Sequence, residues 1–151
     1  MSAVKAYTPY RISTITAIGN INTIIDLQNL FDLFNPTDSI IYMEYGKTKN
    51  ISNFKGTHPN QAKLKKRKNK KRFDNQSTIF IKFEDETYVN MKIFKNGKIQ
   101  MTGLKNIKNG RIAINILIDY IKELYKTHST IVYNYNNINL TNYKICLINS
   151  D

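Results

Sequence analysis

The chain has 151 residues, with 23 Lys and Arg against 11 Asp and Glu, a formal net charge of +12 and a pI near 9.7. That length suits one domain with a real core, and that charge favours a polyanionic partner, either nucleic acid or an anionic membrane surface. One cysteine (Cys146) and two histidines (His58, His128) exclude an internal disulfide framework and a Cys/His zinc site, and no apolar run nears the roughly 20 residues of a membrane span.

The first predicted element is a β-rich, partly alternating strand over 10–18. Asn22-Thr23 offers an N-cap, and a helix follows over 24–34, with Leu27, Leu30, Phe31 and Phe34 on one stripe and Asn35-Pro36 as its stop. A second strand spans 39–45. Residues 46–72 have no periodicity, contain Gly46, Gly56 and Pro59, and end in a cationic run, so they read as a long inserted loop. Residues 77–83 alternate cleanly, with Ile79, Ile81 and Phe83 on one side and Thr78, Phe80 and Lys82 on the other. Glu84-Asp85-Glu86 turns the chain into a strand over 88–94.

Asn96-Gly97 then predicts a two-residue type I′ turn, because both central positions of that turn need positive φ. It leads into a strand over 98–104. After Asn109-Gly110 an amphipathic helix is predicted over 111–125, with Ile112, Ile116, Leu117, Tyr120, Ile121 and Leu124 along one face. A short extended piece over 130–135 and a strand over 143–148 follow. Cys146 lies in the apolar run 145–148 and reads as a buried structural thiol. The expected class is α+β: an antiparallel, curved sheet of four or five strands in the order β-α-β-β-β-β-α, with two helices on one face and the other face open. The N-terminus lacks a signal-peptide apolar region, and the expectation is a soluble, intracellular protein.

No constellation in the sequence supports catalysis or a bound cofactor. Gly97, Gly103 and Gly110 lack phosphate-loop spacing, the carboxylates at 84–86 suit a solvated turn, and no Ser or Cys has an evident His partner. The densest charge lies at 63–72, where Lys65, Lys66, Arg67, Lys68, Lys70, Lys71 and Arg72 stand close together. Such a run suits a phosphate-contacting arm, which raises affinity without reading sequence. The plain alternative is a solubilising or import-like loop.

Parity makes the open face chemically mixed. It carries Thr78, Phe80 and Lys82, then Asn90, Lys92 and Phe94, then Gln100 and Thr102, with Ile12, Thr14 and Thr16 from the first strand. Aromatic and β-branched residues interleaved with Lys, Asn and Gln suit a minor groove, where apolar wedges unstack a base step. An ordinary cross-strand aromatic pair explains Phe80 and Phe94 equally well, and stacking on single-stranded bases is a third reading.

Ile93-Phe94, Gly97-Lys98 and Thr102-Gly103, followed by Lys105 and a long helix, resemble the repeat of the TATA-binding protein family. Residues 73–78 and 92–103 resemble the divergent versions encoded by large cytoplasmic DNA viruses, and the likeness covers roughly residues 8–126. It implies a half-saddle that binds A·T-rich double-stranded DNA, with Phe94 as a wedge between bases and Thr102 facing the minor groove. Phe73 or Phe80 supplies the second wedge, and Lys98 and Lys105 join the contacting residues. The sequence departs from the family pattern at Lys92 and Gln100, where the family has apolar residues, and at Tyr10, where it has a base-reading Asn.

On this reading, residues 1–126 form one repeat with the basic loop 46–72 inserted, and 127–151 form a linker and the first strand of a second repeat. A further repeat or a homodimer would complete the saddle. RNA polymerase or another transcription factor is the further implied partner, and host cytoplasm, nucleus or virion the implied place. A protein-docking module with little DNA contact is the competing function.

Overall fold

The computed structural model of the chain describes residues 14–46, 53–60, 75–133 and 135–149. Seven strands form one sheet: β1 (Thr14–Asn20), β2 (Ile40–Glu44), β3 (Phe54–Gly56), β4 (Gln76–Lys82), β5 (Tyr88–Phe94), β6 (Lys98–Leu104) and β7 (Thr141–Asn149). Their spatial order is β3-β2-β4-β5-β6-β1-β7, and every neighbouring pair is antiparallel. Two α-helices lie among the described residues, α1 (Leu27–Leu33) and α2 (Ile107–Tyr125). This is the α+β, curved half-saddle that the sequence predicts.

Alternation builds the core. Ile79 and Ile81 of β4, Val89, Met91 and Ile93 of β5, Ile99 and Met101 of β6, and Ile15 and Ala17 of β1 are all buried in one cluster with the helices. Burial on this scale is the main stabilising term, at about 25 cal/mol per Å² of apolar surface. Two bulges keep the pattern in phase. β6 gains a residue against β1 between Met101 and Leu104, where Gly103 has φ +86°, and β2 gains one near Ile41. Residues three apart (Met101 and Leu104, Ile40 and Met43) therefore both face the core.

Four expectations need correction. The segment 46–72 is not all loop, because Phe54–Gly56 pairs with β2 at the sheet edge, and with β7 this brings the strands among the described residues to seven. The first helix starts later, at Leu27, capped by Asp26, whose carboxylate accepts from the Asn29 amide at 3.0 Å. Residues 24 and 25 are extended because Ile25 bridges to Val132 and its amide donates to the Lys95 carbonyl.

The second helix starts earlier, at Ile107, because the Asn106 side chain accepts from the Asn109 amide. Its buried stripe is Gly110, Ala113, Ile114, Leu117, Ile118 and Ile121. Ile116, Tyr120 and Leu124 flank that stripe, and Ile112 is 47% exposed. Small residues at the contact line explain the rotation: a Cβ on Gly110 would collide with the Tyr143 hydroxyl. Finally, 129–131 is a 3₁₀ turn, and only Val132 is paired in extended form.

The last strand joins the sheet beside the first. β7 pairs with β1 from Thr14↔Asn149 to Asn20↔Thr141, with two irregularities. Tyr143 ties it to the helix layer: its hydroxyl donates to the Ile107 carbonyl at 2.9 Å, and the Arg111 guanidinium lies 4.7 Å from its ring centroid. The Cys146 side chain lies outside the described positions. Among the described residues, no helix is long and apolar enough to cross a membrane.

Candidate nucleic-acid interface

Cross-strand partners in an antiparallel sheet share a face, so register assembles the side of the sheet away from the helices. One row reads Phe54, Glu44, Thr78, Lys92, Gln100, Ile18 and Lys144 from edge to edge. A neighbouring row reads Tyr42, Phe80, Asn90 and Thr102, and Gln76 pairs with Phe94. Thr78, Phe80, Lys82, Asn90, Lys92, Phe94, Gln100 and Thr102 are therefore brought together as parity predicts. Thr78 is buried, Thr102 is exposed, and the rest are half-buried. Lys105 is exposed just beyond β6. Ile12, Phe73 and the run from Lys65 through Lys66, Arg67, Lys68, Lys70 and Lys71 to Arg72 lie outside the described residues, as does the Thr14 side chain.

The turn that presents Phe94 is not type I′. Asn96 is absent from the described non-glycine residues with positive φ, whereas Gly97 has φ +91°. β5 ends at Phe94 and β6 begins at Lys98, which leaves a three-residue loop. The Gly97 amide donates to the Phe94 carbonyl at 2.9 Å, so a type I turn is followed by a left-handed glycine. The Asn96 side chain accepts from the Lys98 amide at 3.0 Å.

The loop is held from both sides, because the Ile21 and Ile25 amides donate to the Gly97 and Lys95 carbonyls and the Lys95 amide donates to Asn75. A Cβ on Gly97 would stand 2.5 Å from the Thr23 carbonyl oxygen. Phe94 thus projects from an anchored corner, with the Lys98 ammonium 6.0 Å from its ring centroid.

The far end of the face is covered. Tyr42 is fully buried, and its ring stacks with Phe54 (centroids 5.8 Å apart) and meets His58 edge-on at 5.0 Å. His58 in turn lies 4.7 Å from Phe80, and its Nδ1 accepts from the Asn60 amide. The Tyr42 hydroxyl donates to the Glu44 carboxylate at 2.8 Å.

Sequence reasoning missed this cluster because Tyr42 and Glu44 read as ordinary strand residues. A bulge in β2 turns them to the open face, and the 53–60 segment then folds over them. Phe54 packs on Tyr42, while the Lys55 ammonium on the opposite side donates to the Phe31, Asp32 and Phe34 carbonyls at 2.6, 2.9 and 3.3 Å.

Charge on the face is unevenly engaged. Lys82 is paired with Glu86 at 3.1 Å, and that hydrogen bond raises its pKa above the usual lysine value. Asp85, at the same turn, has its pKa lowered by hydrogen bonds from the Thr87 hydroxyl and amide. Asn90 carries a shielded Oδ1 without a hydrogen-bond partner, between Phe80 and Thr102. Among the described residues, no group of three acidic, His or Cys side chains could hold a metal ion.

No family model matches the chain, and no solved structure matches it at a significant level. A curated protein does. Over 151 aligned residues the chain is 31% identical to the "TATA-box-binding protein-like" protein of Acanthamoeba polyphaga mimivirus, covering 93% of this chain. The chain is a divergent relative of that viral protein. It spans about two fifths of the relative's length, since the match covers 40% of it. The TATA-box-binding protein-like resemblance drawn from the 92–103 hairpin is thereby borne out at the level of kinship.

Proposed function

We propose that the chain is a transcription-initiation factor of the TATA-binding type, or one part of such a factor, and that it binds double-stranded DNA through its open sheet face. Phe94 carries this reading: a half-buried aromatic ring on an anchored turn, beside Lys98 and in line with Gln100 and Thr102, in a chain related to a TATA-box-binding protein-like protein. In a minor groove this ring wedges a base step, with hydroxyl and amide groups beside it facing base edges. The basic run at 63–72 supplies phosphate contacts, and β7 opens a second repeat that extends the face.

An electrophoretic shift on A·T-rich and G·C-rich duplexes at two salt concentrations tests the proposal. Binding at low salt that weakens at least about fivefold with Phe94→Ala supports it, as expected if a stacked ring contributes roughly 1–3 kcal/mol. No shift at low salt, or full affinity in Phe94→Ala, overturns it.

A second reading is favoured by Ile107 and Ile112, which are 53% and 47% exposed on the helix side. There the chain docks an RNA polymerase subunit or another factor through its helices. Deleting 63–72 separates the readings, because a protein contact survives that deletion and phosphate binding weakens.

A further inference from the structure

Three described lysines are held by carbonyl or carboxylate oxygens, and two that are not stand in one row of the open face. Lys55 caps α1, Lys82 pairs with Glu86, and Lys126 pairs with Glu123 at 3.1 Å. Lys92 and Lys144 have no ion-pair partner among the described residues. Their row neighbours are a hydroxyl, an amide and an aliphatic side chain: Thr78, Gln100 and Ile18. The carboxylate in that row, Glu44, is buried two strands away from Lys92 and accepts from Tyr42.

β7 makes this arrangement. By pairing with β1 it sets Lys144 opposite Ile18, and Tyr143, pinned to the helix layer, sends Lys144 to the other side, where it is exposed. Lys92 and Lys144 lie three strands apart, roughly 14 Å at about 4.8 Å per strand.

We propose that Lys92 and Lys144 form a second phosphate-binding element, built into the folded sheet and independent of the basic run at 63–72. Two ammonium groups spaced across a face with Gln100 and Ile18 between them hold backbone phosphates on either side of the groove contact. Their attraction depends on charge and not on base identity. The inference rests on the DNA-binding reading above. It assigns to the face itself an ionic contribution that an apolar saddle floor lacks, and it makes the face tolerant of sequence.

The test is the slope of log K against log salt, measured on one A·T-rich duplex with the full chain. Lys92→Gln and Lys144→Gln each lower the slope magnitude by about 0.9, and the double variant by about 1.8. Lys126→Gln, on the helix side, is the control and changes it by less than about 0.3. Thermal melts by circular dichroism confirm that each variant is folded. A double variant whose slope matches the control overturns the inference while leaving DNA binding intact. Wild type that gives no shift at low salt overturns the underlying reading, and the inference with it.

Discussion

The two ends of the open sheet face have the same backbone and opposite treatment. At the β2 end, four rings (Tyr42, Phe54, His58 and Phe80) pack on one another beneath an inserted segment, and Tyr42 is sealed from solvent. At the β5–β6 end, Phe94 stands on a turn fastened by hydrogen bonds to its backbone, with its ring partly buried beside Lys98. An aromatic residue on the open side of a sheet is thus not one kind of signal. Covered by its own chain it contributes stability, and left partly open on an anchored corner it is available to a ligand.

The largest expected effect comes from breaking this contrast directly. Tyr42→Ala removes a fully buried ring and its hydroxyl bond to Glu44, and costs about 3–5 kcal/mol of stability in a urea melt. Phe94→Ala costs less than Tyr42→Ala, because the Phe94 ring is only partly buried whereas Tyr42 is fully buried. The same two variants invert on DNA. Phe94→Ala loses at least about fivefold in affinity, and Phe80→Leu, which keeps an apolar group beneath His58, stays within about twofold. Equal stability losses for Tyr42→Ala and Phe94→Ala would erase the distinction between the ends.

Much of this architecture was legible because it follows a period of two. The strands at 76–82, 88–94 and 98–104 sit within a residue of their predicted bounds, and the face assignment of eight side chains survives intact. What escaped has physical causes. The hairpin loop has three residues where two were expected, and that number is set by where pairing ends, which Asn-Gly alone does not reveal. Phe54–Gly56 is too short to show periodicity. The contact line of α2 runs through Gly110 and Ala113, which a hydrophobic pattern underweights because close approach needs small residues. Above all, the cover over Phe80 is a long-range event, decided by a bulge in β2 and by how the insertion lands.

Lys55 sharpens the comparison from the other side of the sheet. The cover stays in place because β3 is gripped on both faces, with Phe54 below on Tyr42 and Lys55 above on the C-terminal carbonyls of α1 and 5.0 Å from the Phe31 ring centroid. A cation at that position satisfies orphan carbonyls and opposes the helix dipole. Lys55→Met keeps the stem and removes the charge, and the expected loss is about 1–2 kcal/mol in chemical denaturation. Amide exchange in β3 should accelerate in the same variant while the 94–98 turn is unchanged. Uniform acceleration at both sites would mean that the two ends unfold together.

The smallest effect is a pH dependence, and it probes the edge where β7 joins the bare end. Burial pushes the Tyr143 phenol above its ordinary value, with Arg111 pulling partly the other way. The neutral hydroxyl also donates to the Ile107 carbonyl, a bond the phenolate cannot make. A native value above the unfolded one means that the stabilising contribution is complete below the unfolded tyrosine value, about 10, and is lost as pH rises through the native one. Tyr143→Phe therefore flattens the alkaline fall in stability and costs about 1 kcal/mol near neutrality. Arg111→Gln removes the one opposing charge and moves the Tyr143 titration higher still, which carbon-13 chemical shifts of the labelled ring report. If that titration moved lower, burial would not be what governs Tyr143, and the anchoring of β7 against α2 would need another account.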